Sequence, residues 1–374
     1  MPSLTPPFKA EIVGSLLRPQ ALHEARARRA KGEITEQALR RIESDHIAEA
    51  VALHKEVGLK VCTDGEFHRR HWAMDFLERI DGLAYRGALS VKFHNEQGDV
   101  EFAPPRLEVR AKLARSQPLS VADFAELKPL ADRAGLVAKQ PIPSPTLVHF
   151  RGGRAAVDAI AYPGMDAFFA DLARVYREEI AALYAAGCRY LQIDETNLPF
   201  LCDPKLRDHA RTIGEDPDKL PGRYVQLLND AVREVPDDMV VCMHMCRGNH
   251  MSAWVAEGGY DPVAEAVFGG LEIDGFFLEY DSPRAGSFAP LRYLSGKKIA
   301  VLGLVTSKKP ALESKDELKR RIDEAARIVP LERLALSPQC GFASTMEGNQ
   351  LTVEDEKNKL RLVVETAREV WGTA

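Results

Sequence analysis

His244-Met245-Cys246 sets an imidazole and a thiol two residues apart. On an extended segment, residues i and i+2 point to the same side, so both donors can reach one ion. Zinc prefers nitrogen and sulfur ligands arranged as a tetrahedron. Cys340, within Ser337-Pro338-Gln339-Cys340-Gly341, offers a second thiolate, and Glu279, closing an apolar run, offers a fourth ligand. A purely structural zinc site would normally use closely paired cysteines, and the sequence has none. Cys242 also lies two residues from His244 but deeper in its strand, so it reads as core.

These donors need elements that bring them together. Short apolar runs at 11–15, 60–64, 136–142, 190–195, 239–244, 275–279, 299–304 and 334–337 read as eight strands. Most are continuous rather than alternating, as in parallel strands buried on both faces. Helical patterns separate them. Ser314 and Glu317 have the spacing of a capping box, ahead of Leu318, Ile322, Ala325 and Val329. Another helix starts near Thr35 and stops at Gly58, and the last runs from Leu360 through Trp371 to Gly372. Eight strands each feeding a helix predict a (β/α)8 TIM barrel. The rival, a doubly wound sheet, would usually carry a glycine-rich phosphate turn after its first strand, and Val13-Gly14-Ser15-Leu16-Leu17 is no such turn. The reading is one domain over 1–374, with an insertion after the second strand, at about 71–133, folded over one end of the barrel. Barrel chemistry sits at the C-terminal strand ends. Polar residues gather there: Ser15, Asp64 and Glu66, Asp194 and Glu195, His244 and Cys246, Glu279, Thr306 to Lys308, and Cys340.

Composition narrows the function classes. The chain has 374 residues, a formal net charge of −5 and 45% hydrophobic residues. Mild acidity argues against a nucleic-acid or membrane-surface partner, both of which favour a basic face. No apolar run approaches the ~18 residues of a membrane span, and the first residues carry no secretory pattern. A cytoplasmic location is expected, where the six cysteines serve as core thiols, ligands or catalytic groups rather than disulfides. A homo-oligomer is left open.

The motifs also resemble a known family. Val13-Gly14-Ser15, Asp64-Gly65-Glu66-Phe67, Gln192-Ile193-Asp194-Glu195, His244-Met245-Cys246, Glu279 and Ser337-Pro338-Gln339-Cys340-Gly341 are similar, in order, to those of the catalytic C-terminal barrel of cobalamin-independent methionine synthase, and especially of its short stand-alone relatives. The resemblance covers essentially the whole chain. It implies zinc bound by His244, Cys246, Glu279 and Cys340. It also implies a homocysteine acceptor, its ammonium held by Glu66 and Asp194 and its carboxylate set against the backbone at Ser15. The activity it implies is homocysteine S-methyl transfer giving methionine.

Two departures concern the methyl donor. The long methionine synthases carry an additional N-terminal barrel, and they place an Asp-x-His pair after the seventh strand to serve the folate nitrogen. Here that stretch is Thr306-Ser307-Lys308-Lys309-Pro310. Lys308 is the remaining candidate for a catalytic acid, and a donor simpler than folate polyglutamate is expected. Three other readings stand beside this one: alkyl transfer to another thiol, as in the epoxide:coenzyme M transferases; a metal-free porphyrinogen-decarboxylase-like barrel; and a non-catalytic binding protein.

Overall fold

A computed structural model describes residues 6–88, 91–95, 98–102 and 105–374. Its strands are β1 (Val61–Cys62), β2 (Asp81–Ala88), β3 (Val91–Asn95), β4 (Gly98–Phe102), β5 (Pro105–Ala114), β6 (Val137–Ala138), β7 (Gln140–Pro143), β8 (Tyr190–Glu195), β9 (Val240–Met245), β10 (Gly275–Glu279), β11 (Ile299–Val305) and β12 (Leu334–Pro338). β7 to β12 form one parallel sheet in sequential order, and β1 pairs in parallel with β6, which runs almost directly into β7.

The chain before β1 connects the two ends of this series. Glu11 N donates to Leu336 O at 2.9 Å, and Leu336 N donates to Lys9 O at 2.9 Å, so this segment lies alongside β12. On its other side, Leu16 N donates to Gly65 O at 3.1 Å and Thr63 Oγ1 donates to Gly14 O at 2.7 Å. The result is an α/β fold on a parallel sheet, with its strands in the order of a (β/α)8 barrel. β8 and β10 are buried along their whole length, β10 with apolar residues up to Glu279 and β8 with Gln192, Asp194 and Glu195 among its apolar ones. Expected as a strand over 11–15, the first segment makes one isolated bridge, Ala10 to Leu336. The Glu11 carboxylate turns inward instead, accepting from Phe8 N and Tyr190 OH at 2.9 Å each and pairing with Lys139 at 3.5 Å.

Helix boundaries follow local chemistry in most places. Thr35 accepts from Ala38 N at the start of Glu36–Val57, and Gly58 ends that helix at φ 92°. Gly372, at φ 72°, ends Val353–Trp371. The capping box read at Ser314 and Glu317 does not form: Ser314 makes no capping hydrogen bond, and Glu317 pairs instead with Arg320. Thr352 and Asp355 make a reciprocal box elsewhere, at the start of the last helix.

The stretch 71–133 divides in two. β2 pairs with β5 and β3 with β4, all antiparallel, giving a nested ribbon. It reaches over the C-terminal end of the sheet, where His94 and Trp254 exchange backbone hydrogen bonds of 2.6 and 2.9 Å. Val121–Ala134 is by contrast a barrel helix, packed on Glu36–Val57 and leading into β6. No helix among the described residues is long and apolar enough to cross a membrane.

The loop after β1 rests on a buried ionic network. His68 contacts Glu43 at 2.9 Å and Glu126 at 3.1 Å, and Arg26 bonds both Glu43 at 3.0 Å and Arg69 O at 2.9 Å. Burial pushes the His68 imidazole down, but Glu126 and Glu43 outweigh it and raise it to about 9. Its folded value lies above the unfolded 6.5, so its contribution is fully present below about 6.5 and is lost as pH rises through 9. Melting temperature is therefore expected to fall between pH 7 and 9.5, by the equivalent of roughly 2–3 kcal/mol. His68→Asn should flatten that decline in a pH series of thermal melts.

Candidate metal centre

Strand register does most of the positioning. Asp194 on β8 and Phe277 on β10 both lie opposite His244 on β9. Two residues further along each strand, Glu279 and Cys246 are therefore level with one another. Cys246 N donates to Glu195 O at 2.8 Å, which extends the β9 edge by one residue. Cys340 follows β12 by two residues, where Gln339 N donates to Val305 O at 2.8 Å. The ligand atoms of His244, Cys246, Glu279 and Cys340 all lie within 4.8 Å of one another, and all four residues are buried.

The surroundings fit a cation at this point. Neither ring nitrogen of His244 makes a hydrogen bond, although both are buried. Such orphaned atoms are rare unless something outside the protein satisfies them. The two sulfurs stand 3.6 Å apart, and Gly248 N donates to Cys246 Sγ at 3.3 Å. Burial pushes the Glu279 carboxyl up, but Lys308, Arg284, Arg247 and His244 outweigh it and hold it at about 2. The contact with Cys246, together with His244, draws the Cys340 thiol well below its ordinary value, while Cys246 is pushed well above. Each thiol thus depends on the other for its proton, and a metal ion would replace that proton. One imidazole, two thiolates and one carboxylate can hold a divalent metal.

The other residues singled out in the sequence fall in two places. Ser15, Glu66 and Asp194 line, with His244, Cys246 and Cys340, a cavity of about 720 Å³ roofed by Lys92, Phe93 and His94 of β3. Lys308 is buried with its ammonium free of hydrogen bonds, on the Glu279 side of the centre; neither residue is on the cavity wall.

Glu66 adopts φ 60°, held by Asp64 Oδ1 accepting from Glu66 N at 2.8 Å. One carboxylate oxygen, Oε2, has no hydrogen bond and lies 3.8 Å from Arg69 Nη1, a loose pairing. Burial, with Asp194 and Asp64 nearby, raises Glu66 to about 7 against the pull of Arg69 and Arg18. Gly14 makes room for it, since a Cβ there would sit 2.8 Å from Glu66 Oε1. Burial also raises Asp194, whose Oδ1 accepts from Gln192 at 2.7 Å. Ser15 Oγ accepts from Ala343 N at 3.2 Å and Ser15 O from Phe342 N at 2.9 Å, tying the first loop to the one that carries Cys340.

Two residues overlooked in the sequence hold the ligands in place. Arg247 is fully buried: its N donates to Glu279 Oε1 and its Nη1 to Glu279 O, each at 3.1 Å, with Tyr260 OH at 2.9 Å. Gln339 accepts from Ser307 N at 3.0 Å and approaches Glu279 at 3.5 Å. Their only signal in the sequence was adjacency to Cys246 and Cys340.

Known proteins resemble the chain over most of its length. Residues 164–369 match the family described as "Cobalamin-independent synthase, Catalytic domain". The uncharacterized protein YxjH of Bacillus subtilis (strain 168) is 46% identical, over 98% of this chain and 95% of its own length. A methionine synthase of Pyrococcus abyssi is 24% identical over 90% of this chain and 87% of its own. A solved structure from Listeria monocytogenes, assigned only by name to vitamin-B12-independent methionine synthase, superposes with a TM-score of 0.77 at 39% identity, covering 98% of each chain.

Purified protein is expected to carry about one divalent metal per chain by elemental analysis. Cys246→Ser or Cys340→Ser should remove most of it, and Glu279→Gln less. Full metal content in both serine variants would contradict the centre.

Proposed function

The chain belongs to the family of cobalamin-independent synthase catalytic domains, and we propose that within it this protein is a zinc-dependent homocysteine S-methyltransferase, acting in the cytoplasm and forming methionine. The observation that carries the reading is the buried His244–Cys246–Glu279–Cys340 cluster opening onto a cavity that also presents Glu66 and Asp194. Zinc is the metal this nitrogen and sulfur donor set suits best. Bound there, it would lower the pKa of an incoming thiol and keep that sulfur nucleophilic, because three anionic ligands leave the centre electron-rich.

The chain's own residues do the rest. Asp194 lies opposite His244 in register, so an ammonium held by Asp194 and Glu66 stays within an amino acid's length of the sulfur position. Both contacts are charge-assisted, and burial strengthens them. The loop at Ser15 faces the acceptor's carboxylate. Ribbon and loops exclude water from a reaction in which a thiolate must attack carbon.

A sulfonate acceptor such as coenzyme M fits less well. Arg18 commits both terminal nitrogens to the carbonyls of Ala343, Thr345, Glu66 and Arg69, Arg69 bonds Pro141 O, and neither arginine lines the cavity, so neither offers its fork to an anion there. In cobalt-substituted protein, homocysteine should change the thiolate-sensitive optical spectrum and coenzyme M much less. The reverse order would overturn the acceptor.

Glu66 gives a pH signature. Methionine, which has no thiol to titrate, should bind with nearly constant affinity from pH 7 to 8.5, below the range where its own ammonium titrates, and about tenfold more weakly per pH unit below 7, because Glu66 must lose its proton to face the ammonium. Glu66→Gln should abolish that slope in calorimetric titrations. Asp194→Asn should weaken methionine by about 1.5–3 kcal/mol.

The donor is a small, activated methyl compound rather than polyglutamyl methylfolate. A folate nitrogen must be protonated as it leaves, and Lys308 lies behind the ligands rather than on the cavity wall. The absence of a positioned acid typically costs 10²–10⁴-fold. With homocysteine, S-methylmethionine or methylcobalamin is expected to turn over faster than methylfolate at equal concentration. Methylfolate in first place would return Lys308 to the role of general acid.

A further inference from the structure

The cavity is larger than one four-carbon amino acid needs, and its charge is uneven. Glu66 and Asp194 lie at the end that holds the ligand cluster. Arg151, Lys92, Lys205 and His209 line the remainder, with Lys92 and Lys205 exposed; Asp203 and Glu257 lie there too, but their carboxylates already accept from Lys205 N, Glu257 N and Trp254 Nε1. Arg151 differs from the other arginines around the site. Arg18, Arg69, Arg247 and Arg284 all bond backbone or carboxylate groups. Arg151 makes no hydrogen bond and no ion pair among the described residues, and it lines the cavity while remaining partly exposed. It follows the short helix Leu147–Phe150, on the loop after β7, where its position is fixed by buried backbone. A guanidinium without a partner on a cavity wall is open to an anion, and its planar fork matches a carboxylate.

We propose that Arg151 anchors a carboxylate carried by the methyl donor, so that the cavity holds an amino-acid acceptor at its acidic end and an anionic donor at its basic end. This rests on the methyl-transfer reading above. Burial depresses Arg151 with no carboxylate to offset it, and His71, facing it, is held neutral at about 3 by burial and by Arg151. His71 therefore adds no competing charge at neutral pH. For a sulfonium donor the step balances simply. The acceptor sulfur forms a bond to the methyl carbon, the bond from that carbon to the donor sulfur breaks with its electron pair leaving on the thioether, and the acceptor's thiol proton goes to solvent. The other product is a neutral thioether still bearing its carboxylate.

The test separates binding from turnover. Calorimetry would compare 3-(methylthio)propionate with 3-(methylthio)propanol on wild type, Arg151→Gln and Arg151→Lys. Arg151→Gln should weaken the carboxylate by about tenfold to a hundredfold and leave the alcohol unchanged, with Arg151→Lys in between. Melting temperature should not fall, because the side chain supports nothing in the fold. In turnover with homocysteine, Arg151→Gln should raise KM for dimethylsulfoniopropionate and not for trimethylsulfonium. Equal affinity of wild type and Arg151→Gln for the carboxylate, or an alcohol that binds as tightly, would overturn the anchor. Arg151-dependent carboxylate binding without methyl transfer would leave the anchor standing and remove the methyltransferase reading. Transfer from both sulfonium donors regardless of Arg151 would do the opposite.

Discussion

Crowding of negative charge is the constraint around which this molecule is arranged. Two sulfurs 3.6 Å apart, a carboxylate and an imidazole cannot be buried together without cations to offset them. The protein supplies part of that compensation itself. Lys308, Arg284 and Arg247 surround Glu279 on the side away from the cavity, and they keep it ionised despite burial. Arg247 also donates to the Glu279 carbonyl and carboxylate, so the residue that balances the charge fixes the ligand's rotamer. In this light Lys308 serves the resting charge of the centre. Its orphaned ammonium is tolerable because the field around it is strongly negative.

A second layer of the same problem appears at the first two strand ends. Glu66, Asp64 and Asp194 approach one another, and Arg69 and Arg18 moderate their repulsion without forming a tight pair. Arg18 is committed to backbone carbonyls of the loops at 66–69 and 343–345, and Arg69 to those of Trp72 and Pro141. They hold those loops while leaving the Glu66 carboxylate partly unsatisfied. A site that satisfied all its own charges would have nothing left for an ammonium.

Much of this was legible in the sequence, for identifiable reasons. β8 and β10 lie at 190–195 and 275–279 as expected, because in each a set of buried apolar residues leads into a carboxylate at the C-terminal end. Gly58 and Gly372 mark helix ends because only glycine takes the left-handed turn at no cost. The first strand was overstated: its pattern is apolar, but the inward Glu11 and its tie to Tyr190 replace ladder bonds with side-chain ones. Ser314 and Glu317 had the spacing of a box, and Arg320 simply competed for the glutamate. The helix Val121–Ala134 was merged with the insertion because nothing in its composition separates it from the ribbon before it. Arg247 and Arg151 lie outside the motifs, and Gln339 lies inside one with no role of its own legible there, since their roles arise from tertiary approach.

The way the ribbon is fastened bears on how such a site can diverge. His94 and Trp254 join it to the barrel through main-chain atoms, as do Trp72 and Ser344 at its base. Those bonds do not depend on which side chains are present. The roof can therefore exchange the exposed Lys92 for other residues without loosening its attachment, whereas Phe93 also packs its ring 5.4 Å from that of His250. Closure over the cavity and recognition at its roof thus rest on different atoms, main chain for the one and side chains for the other.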